Sequence, residues 1–260
     1  MTLVEDLREL GLGAGDRVVV HSSLRSVGRV EGGAETVVDA LLEVLEPQGL
    51  LVVPAFTYTT ERFDPAREPG RTGAIAEAVR LRPGAVRSLH PTHSVAALGA
   101  GARELCADHE SLAGTDVGSP LDRLARGGGH VLLLGVGHIA NTTIHVGEFR
   151  ARAPYLSIPI SPTWPRVHEI VTGSEVRTVR YERFPGCSRA FGVVERGLRE
   201  RTLIRDGRVG RAESQLILGE ALIDETVALL EADVHALLCA GVQRCHRCAR
   251  ARGQPTSAPH

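Results

Sequence analysis

A chain of 260 residues, 43% of them hydrophobic, is long enough to bury one large core. Its formal net charge of −1 offers no bulk field to nucleic acid or to an anionic membrane. No run approaches the ~20 apolar residues of a bilayer span and the N-terminus lacks a signal-peptide layout, so the expected location is the cytoplasm. All 30 basic residues are arginine, which excludes a Walker lysine, a Schiff-base lysine and a lysine general base.

Thr2 and Glu5 make a capping-box pattern at the head of a helix running through Leu10. Gly15-Asp16 turns the chain into a strand at 17–21, a helix follows over 34–46, Pro47 and Gly49 stop it, and a strand at 50–54 comes next. The polar segment 56–72 carries Pro65 and Pro69 and reads as a long loop, a length usually functional or disordered. A helix over 74–81 precedes Pro83-Gly84, and 94–98 and 131–134 are buried-strand candidates. Segments 166–171 and 175–182 alternate around Thr172-Gly173-Ser174 as an antiparallel hairpin. Stretches 188–199 and 213–230 read as helical, and the tail 253–260 as frayed. The expected fold is α/β: a three-layer α/β/α core with an added antiparallel β-hairpin lobe and C-terminal helices. It forms a single domain over 1–260, with the core at 1–155, lobe and helices at 156–252, and the tail beyond.

Three segments have the residues for chemistry. His21, Ser22, Ser23 and Leu24 end a strand, where ligands gather in open α/β sheets. Their hydroxyls and amides suit a phosphate or a pantetheine amide, the alternative being an ordinary turn. Segment 87–94 gathers Arg87, Ser88, His90, Thr92, His93 and Ser94; arginine and hydroxyls suit phosphate, and no carboxylate among them argues for a metal. In the third, an apolar strand runs into Gly135-Val136-Gly137, and a helix follows in which His145 and Glu148 share a face with Thr142 and Thr143 close by. An imidazole oriented by an acid is a general-base candidate near neutral pH; the alternative is a surface pair. The basic stretches 177–183 and 244–252 read as solvated faces.

The cysteines suggest a structural metal outside the chemistry. Cys245 and Cys248 have the two-residue spacing that lets both thiolates bind one zinc, and Cys239 and Cys187 are the candidates for the other two positions. Such a site would pin the C-terminal segment to the hairpin lobe. Free cytoplasmic thiols are the alternative, and Cys106 reads as a buried apolar residue.

Taken in order, Val20-His21-Ser22-Ser23-Leu24, Phe63-Asp64-Pro65, Pro83-Gly84 with Arg87-Ser88 and His90-Pro91, Ser119-Pro120, Leu132 to Gly137, and Asn141-Thr142-Thr143 with His145 and Glu148 resemble the aminoglycoside 3-N-acetyltransferase family. The match is close through Tyr155 and looser through Gly186-Cys187 and the C-terminal helix. The resemblance implies acetyl-CoA as donor and direct acetyl transfer to an amine of a small molecule, an aminoglycoside or related amino sugar, hence antibiotic resistance. It implies that His21, Ser22, Ser23 and Leu24, with Arg87, Ser88, His90 and Ser94, hold CoA, and that His145 is the catalytic base. The chemistry agrees: a protonated amine cannot attack a thioester until a base removes its proton. Glu148 would orient the imidazole, Asp64 would reach in from the long loop as a second carboxylate, and Thr143 would donate to the oxyanion or leaving thiolate. One departure stands out. Polycationic acceptors call for acidic walls, yet 180–185 contributes Arg180 and Arg183, and the 57–61 loop has one acid. A less cationic amine is therefore the alternative acceptor, and a non-catalytic CoA-binding module or a metal-dependent hydrolase the alternative class. A homodimer is compatible with all of these.

Overall fold

Residues 18–20, 50–53 and 131–134 are apolar at every position, which a strand tolerates only when both of its faces are covered. The computed structural model, which describes residues 2–57, 61–240 and 245–253, puts these runs side by side. The strands are β1 (Arg17–Ser22), β2 (Leu50–Pro54), β3 (Arg62–Phe63), β4 (Val86–Arg87), β5 (Val95–Gly99), β6 (His130–Leu134), β7 (Val167–Thr172), β8 (Glu175–Arg180), β9 (Ile204–Val209) and β10 (Ala212–Leu218). Seven make one sheet in the order β4-β5-β2-β1-β6-β10-β9. Its centre is parallel, β1 pairing with β2 and β6, and its two margins are antiparallel.

Alternation along the central strands divides the core in two. Val18, Val20, Leu51, Val53, Leu132 and Leu134 face one side, against α1 (Leu3–Leu10), α2 (Leu24–Val27), α3 (Ala34–Leu45) and α4 (Ala74–Leu81). Val19, Leu50, Val52, Val131 and Leu133 face the other, against α5 (Ala102–Cys106), α6 (Pro120–Arg126), α7 (Ile144–Arg150), α8 (Val194–Glu200) and α9 (Gly219–Ala232). This is the expected α/β/α sandwich. A third, smaller cluster holds Phe149, Tyr155, Leu156, Leu238, Cys239 and Cys248 beneath α10 (His246–Ala251). The hairpin lobe is also present: β7 and β8 pair antiparallel around Gly173-Ser174, and the short β3 from the long loop joins β7 in parallel. Among the described residues no helix is long and apolar enough to cross a membrane.

Most elements match the expected ones, down to the reciprocal bonds of the Thr2–Glu5 capping box. The tail expected to fray lies, from 254 onward, outside the described residues. One expectation is corrected. The stretch 213–230 is not one helix: β9 and β10 form a hairpin, and α9 begins only at Gly219. The residues Glu213-Ser214-Gln215-Leu216 are tolerant of helix, but β6 would otherwise leave its outer edge unpaired, and β10 closes it residue for residue from Ser214↔Leu134 to Leu218↔His130. Gly210, at φ 60°, supplies the left-handed turn the hairpin requires.

α7 is tied to its neighbours by a buried carboxylate. Asp122 of α6 accepts from Arg150 Nε at 2.8 Å, Arg126 Nε at 2.9 Å and the Gly118 amide at 2.9 Å. Arg150 also pairs with Glu220 of α9. Asp122→Ala leaves the half-buried Arg150 short of its inner partner, so unfolding in urea should show a loss of about 3–5 kcal/mol, as for a broken buried pair. A loss under about 1 kcal/mol, the value of an exposed pair, would contradict this account.

Candidate active site

The strand β6 ends at Leu134, and the chain turns over Gly135-Val136-Gly137 before entering α7 above the C-terminal ends of β1 and β6. On the first turn of α7 His145 stands three residues before Glu148, and both side chains are buried. His145 Nδ1 lies 2.6 Å from Glu148 Oε2. The Gly186 amide lies 3.1 Å from both atoms. Nδ1 cannot donate to the carboxylate and accept from the amide at once. The short contact makes it the donor, and Gly186 N–H then donates to Oε2. Tyr155 O–H completes the set, donating to Glu148 Oε1 at 2.9 Å. Burial and the Glu148 charge push the Tyr155 phenol far up, so it remains a donor. The imidazole thus has its proton on Nδ1, its Nε2 makes no hydrogen bond among the described residues, and Phe191 packs edge-on against the ring at 4.6 Å.

His145 lines a cavity of about 390 Å³. The wall includes His21 and Ser22 from the end of β1, Phe56, Thr72, His93, Thr142, and the segment Gly186 to Arg189. A second cavity of about 830 Å³ lies beyond the same strand ends, lined by Ser26, Gly135 to Gly137, Arg199, Arg208 and Arg211. Of the expected donor-binding residues, His21 and Ser22 reach the cavity that His145 lines. Ser23 caps α2, its Oγ accepting from the Ser26 amide, and Leu24 packs on the core.

The other expected donor-binding segment is turned inward. Arg87 donates Nε to Ser94 Oγ at 3.0 Å and Nη2 to the Ala55 carbonyl at 2.7 Å, while Nη1 reaches the carbonyls of Pro65 and Glu68. Its guanidinium also lies over the Phe63 ring, and burial lowers its pKa to about 10. It clamps the long loop. Ser88 bonds His109 and the Val95 amide, His90 stacks on Tyr181, and Ser94 accepts from Arg87 and donates to Ala55 O. None of the four lines the His145 cavity.

Asp64 likewise stays in its loop, accepting from the Ala66 amide and pairing with Arg67. Thr143 is fully buried and does not line the cavity, whereas Thr142 does. Arg180 pairs with Glu182, and Arg183 with Asp116, both off the cavity; Arg189 is the arginine that lines it. Most of the 57–61 loop lies outside the described residues. Gly186, Tyr155 and Arg189 were not anticipated; Pro185-Gly186-Cys187 was the one local hint.

The four expected cysteines come together. Cys187, Cys239, Cys245 and Cys248 place their sulfurs within 4.8 Å of one another, and Cys239 and Cys245 are 3.8 Å apart. That spacing is far beyond a disulfide bond. It matches the edge of a tetrahedron of sulfurs around a zinc at about 2.3 Å, which is about 3.8 Å. The Cys248 amide points at Cys245 Sγ, which caps α10. Hydrogen bonds from Cys187 and Cys248 hold the Cys245 thiol well below its ordinary range. Cys187 and Cys245 also line the His145 cavity.

A three-layer sandwich with a buried His–Glu pair at the carboxyl ends of its parallel strands, opening on a cavity, has the layout of an α/β enzyme. The model of the family "Aminoglycoside 3-N-acetyltransferase" matches residues 19–231. Aminoglycoside N(3)-acetyltransferase VII of Streptomyces paromomycinus is 37% identical, over 88% of this chain and 90% of that one. A mutant of AAC(3)-IVa solved in complex with a gentamicin superposes with a TM-score of 0.86 at 33% identity, covering 97% of this chain and 96% of the other. AAC-IIIb, solved with CoASH, superposes at 0.78 with 29% identity, over 88% and 95%. The chain belongs to the aminoglycoside 3-N-acetyltransferase family. It is an acyltransferase that moves acetyl to an amine.

Several histidines near the site are neutral by burial. Burial, then the nearby His138, lowers His21 to about 3. Burial, then His145, lowers His93 to about 3. Burial lowers His109 to about 4 against the pull of the Gly114 carbonyl, and it also depresses His90 and His138. The unfolded chain takes up protons on these groups below about pH 6.5 while the folded protein does not. Stability is therefore full above that pH and falls as pH drops toward the folded values, by up to about 1.4 kcal/mol per unit for each histidine. The urea midpoint should be markedly lower at pH 5.5 than at 7.5; equal midpoints would mean that these rings are protonated in the fold.

Proposed function

We propose that His145 is the general base of a direct transfer from acetyl-CoA to an aminoglycoside amine, in the cytoplasm. The carrying observation is the 2.6 Å contact between His145 Nδ1 and the buried Glu148, on a ring that lines the cavity. Nε2 takes a proton from the acceptor ammonium. The freed amine attacks the thioester carbonyl, the nitrogen of the tetrahedral centre gives up its second proton to solvent, and the centre collapses to amide and thiolate, which takes the first proton from the imidazolium. Glu148 stabilises the imidazolium while it lasts. Thr142, on the wall, is better placed than Thr143 to donate to the developing oxyanion.

Acetyl-CoA is long, and the turn after β1 borders both cavities, with Ser22 on the catalytic one and Ser26 on the larger. In this reading the acetyl thioester enters the first and the nucleotide lies in the second. Arg211, which lines the second and makes no ion pair among the described residues, is the phosphate contact in place of Arg87. The four cysteines hold a zinc ion, and four protein sulfurs leave no position for water, so that metal is structural. An acceptor with few charges near its reacting amine is a second reading, favoured by Arg189 on the wall.

His145→Ala should lower kcat by about 10²–10⁴-fold with acetyl-CoA binding retained. Near-normal turnover at saturating amine and neutral pH would refute the mechanism. The two arginines should separate cleanly in steady-state kinetics. Arg211→Ala raises the KM for acetyl-CoA by about tenfold or more, the loss of one charged hydrogen bond. Arg87→Ala lowers thermal stability and leaves that KM within about twofold. The opposite pattern would return the phosphate to Arg87.

A further inference from the structure

The segment 181–187 carries no helix or strand, yet its Gly186 must meet Glu148 at hydrogen-bond distance. The approach is so close that a Cβ at Gly186 would lie 2.3 Å from Glu148 Oε1, so no other residue fits without displacing the carboxylate. Such a contact needs the loop held from elsewhere. Two groups hold it. At one end Cys187, the next residue, belongs to the four-sulfur cluster. At the other, Arg247, between Cys245 and Cys248, is fully buried and donates Nη1 to the carbonyls of Phe184 and Pro185.

Arg247 is otherwise hard to account for. Its Nε and Nη2 are buried without a partner among the described residues. A bare guanidinium in the interior is costly unless anions face it. Four thiolates around one Zn²⁺ have a net charge of −2, so a loaded site would give this arginine the counter-charge that neutral thiols do not.

We propose that the four-cysteine zinc site is a positioning device for the catalytic pair: through Cys187 and Arg247 it presses Gly186 against Glu148, and so sets the His145 ring. This rests on the zinc reading given above. Cys187 and Cys245 being part of the cavity wall, the same site shapes the acceptor side and leaves the donor side, built from the β1 turn, to itself. Zinc takes no part in the bond changes.

The test begins with zinc analysis of protein purified without chelator, expected at one equivalent per chain. Cys239→Ser removes a ligand that does not line the cavity. It should lose the zinc, lower kcat by about 10–100-fold, keep the KM for acetyl-CoA within about twofold, and lose or shift the NMR resonance of the His145 Nδ1 proton. Arg247→Lys keeps all four sulfurs but not the fork that grips two carbonyls, so it should retain zinc and still show the kcat loss and the shifted resonance. It also serves if Cys239→Ser does not fold. Wild-type protein with well under one equivalent of zinc would end the zinc reading and this proposal with it. Full zinc, with unchanged kcat and resonance in the folded variants, would overturn the positioning role alone.

Discussion

A carboxylate shut away from water needs its lone pairs met, and Glu148 is met three times: by the imidazole of His145, the phenol of Tyr155 and the amide of Gly186. Each donor comes from a different place in the chain. The imidazole comes from the same helix, the phenol from the turn that follows it, and the amide from a loop beyond the hairpin lobe. The lobe, the C-terminal helix and the sandwich therefore have to be in register for one side chain to be satisfied. The consequence is chemical: Nδ1 is committed, the tautomer is set, and Nε2 is the atom the proposed mechanism uses.

The sheet explains why the pair sits where it does. Parallel strands send their carboxyl ends to one edge, and β1 and β6 end there beside each other at Ser22 and Leu134. The antiparallel margins matter as much. β10 and β9 close the edge beyond β6, and the turn region beside them forms the wall of the larger cavity. In the proposed reading the donor spans both compartments, and the short turn after β1 touches both.

A chain without lysine uses the arginine fork to hold irregular backbone. Arg87 gathers carbonyls from Ala55, Pro65 and Glu68, Arg123 gathers those of Glu104, Leu105 and Ala107, and Arg247 those of Phe184 and Pro185. A planar group with five donors can do this where an ammonium cannot. It also explains why an arginine beside hydroxyls, which reads as a phosphate site in one dimension, can be a loop clamp in three.

What was legible in the sequence was local or periodic. The buried central strands, the capping box, the hairpin around Gly173 and the i, i+3 pairing of His145 with Glu148 all follow from spacing along one element. The four cysteines were legible too, because thiol chemistry narrows the partners that such residues can have. Tertiary structure alone decided the rest. Residues 213–218 became a strand because β6 needed an edge partner, although their own preference did not demand it. Arg87, Ser88, His90 and Ser94 turned inward because the long loop supplies carbonyls and rings that satisfy them at close range. Gly186 entered the site because its missing side chain lets a distant loop touch Glu148. Periodicity reports which face of an element is apolar; which groups meet across faces is settled only when separate segments satisfy one another's charges and hydrogen bonds.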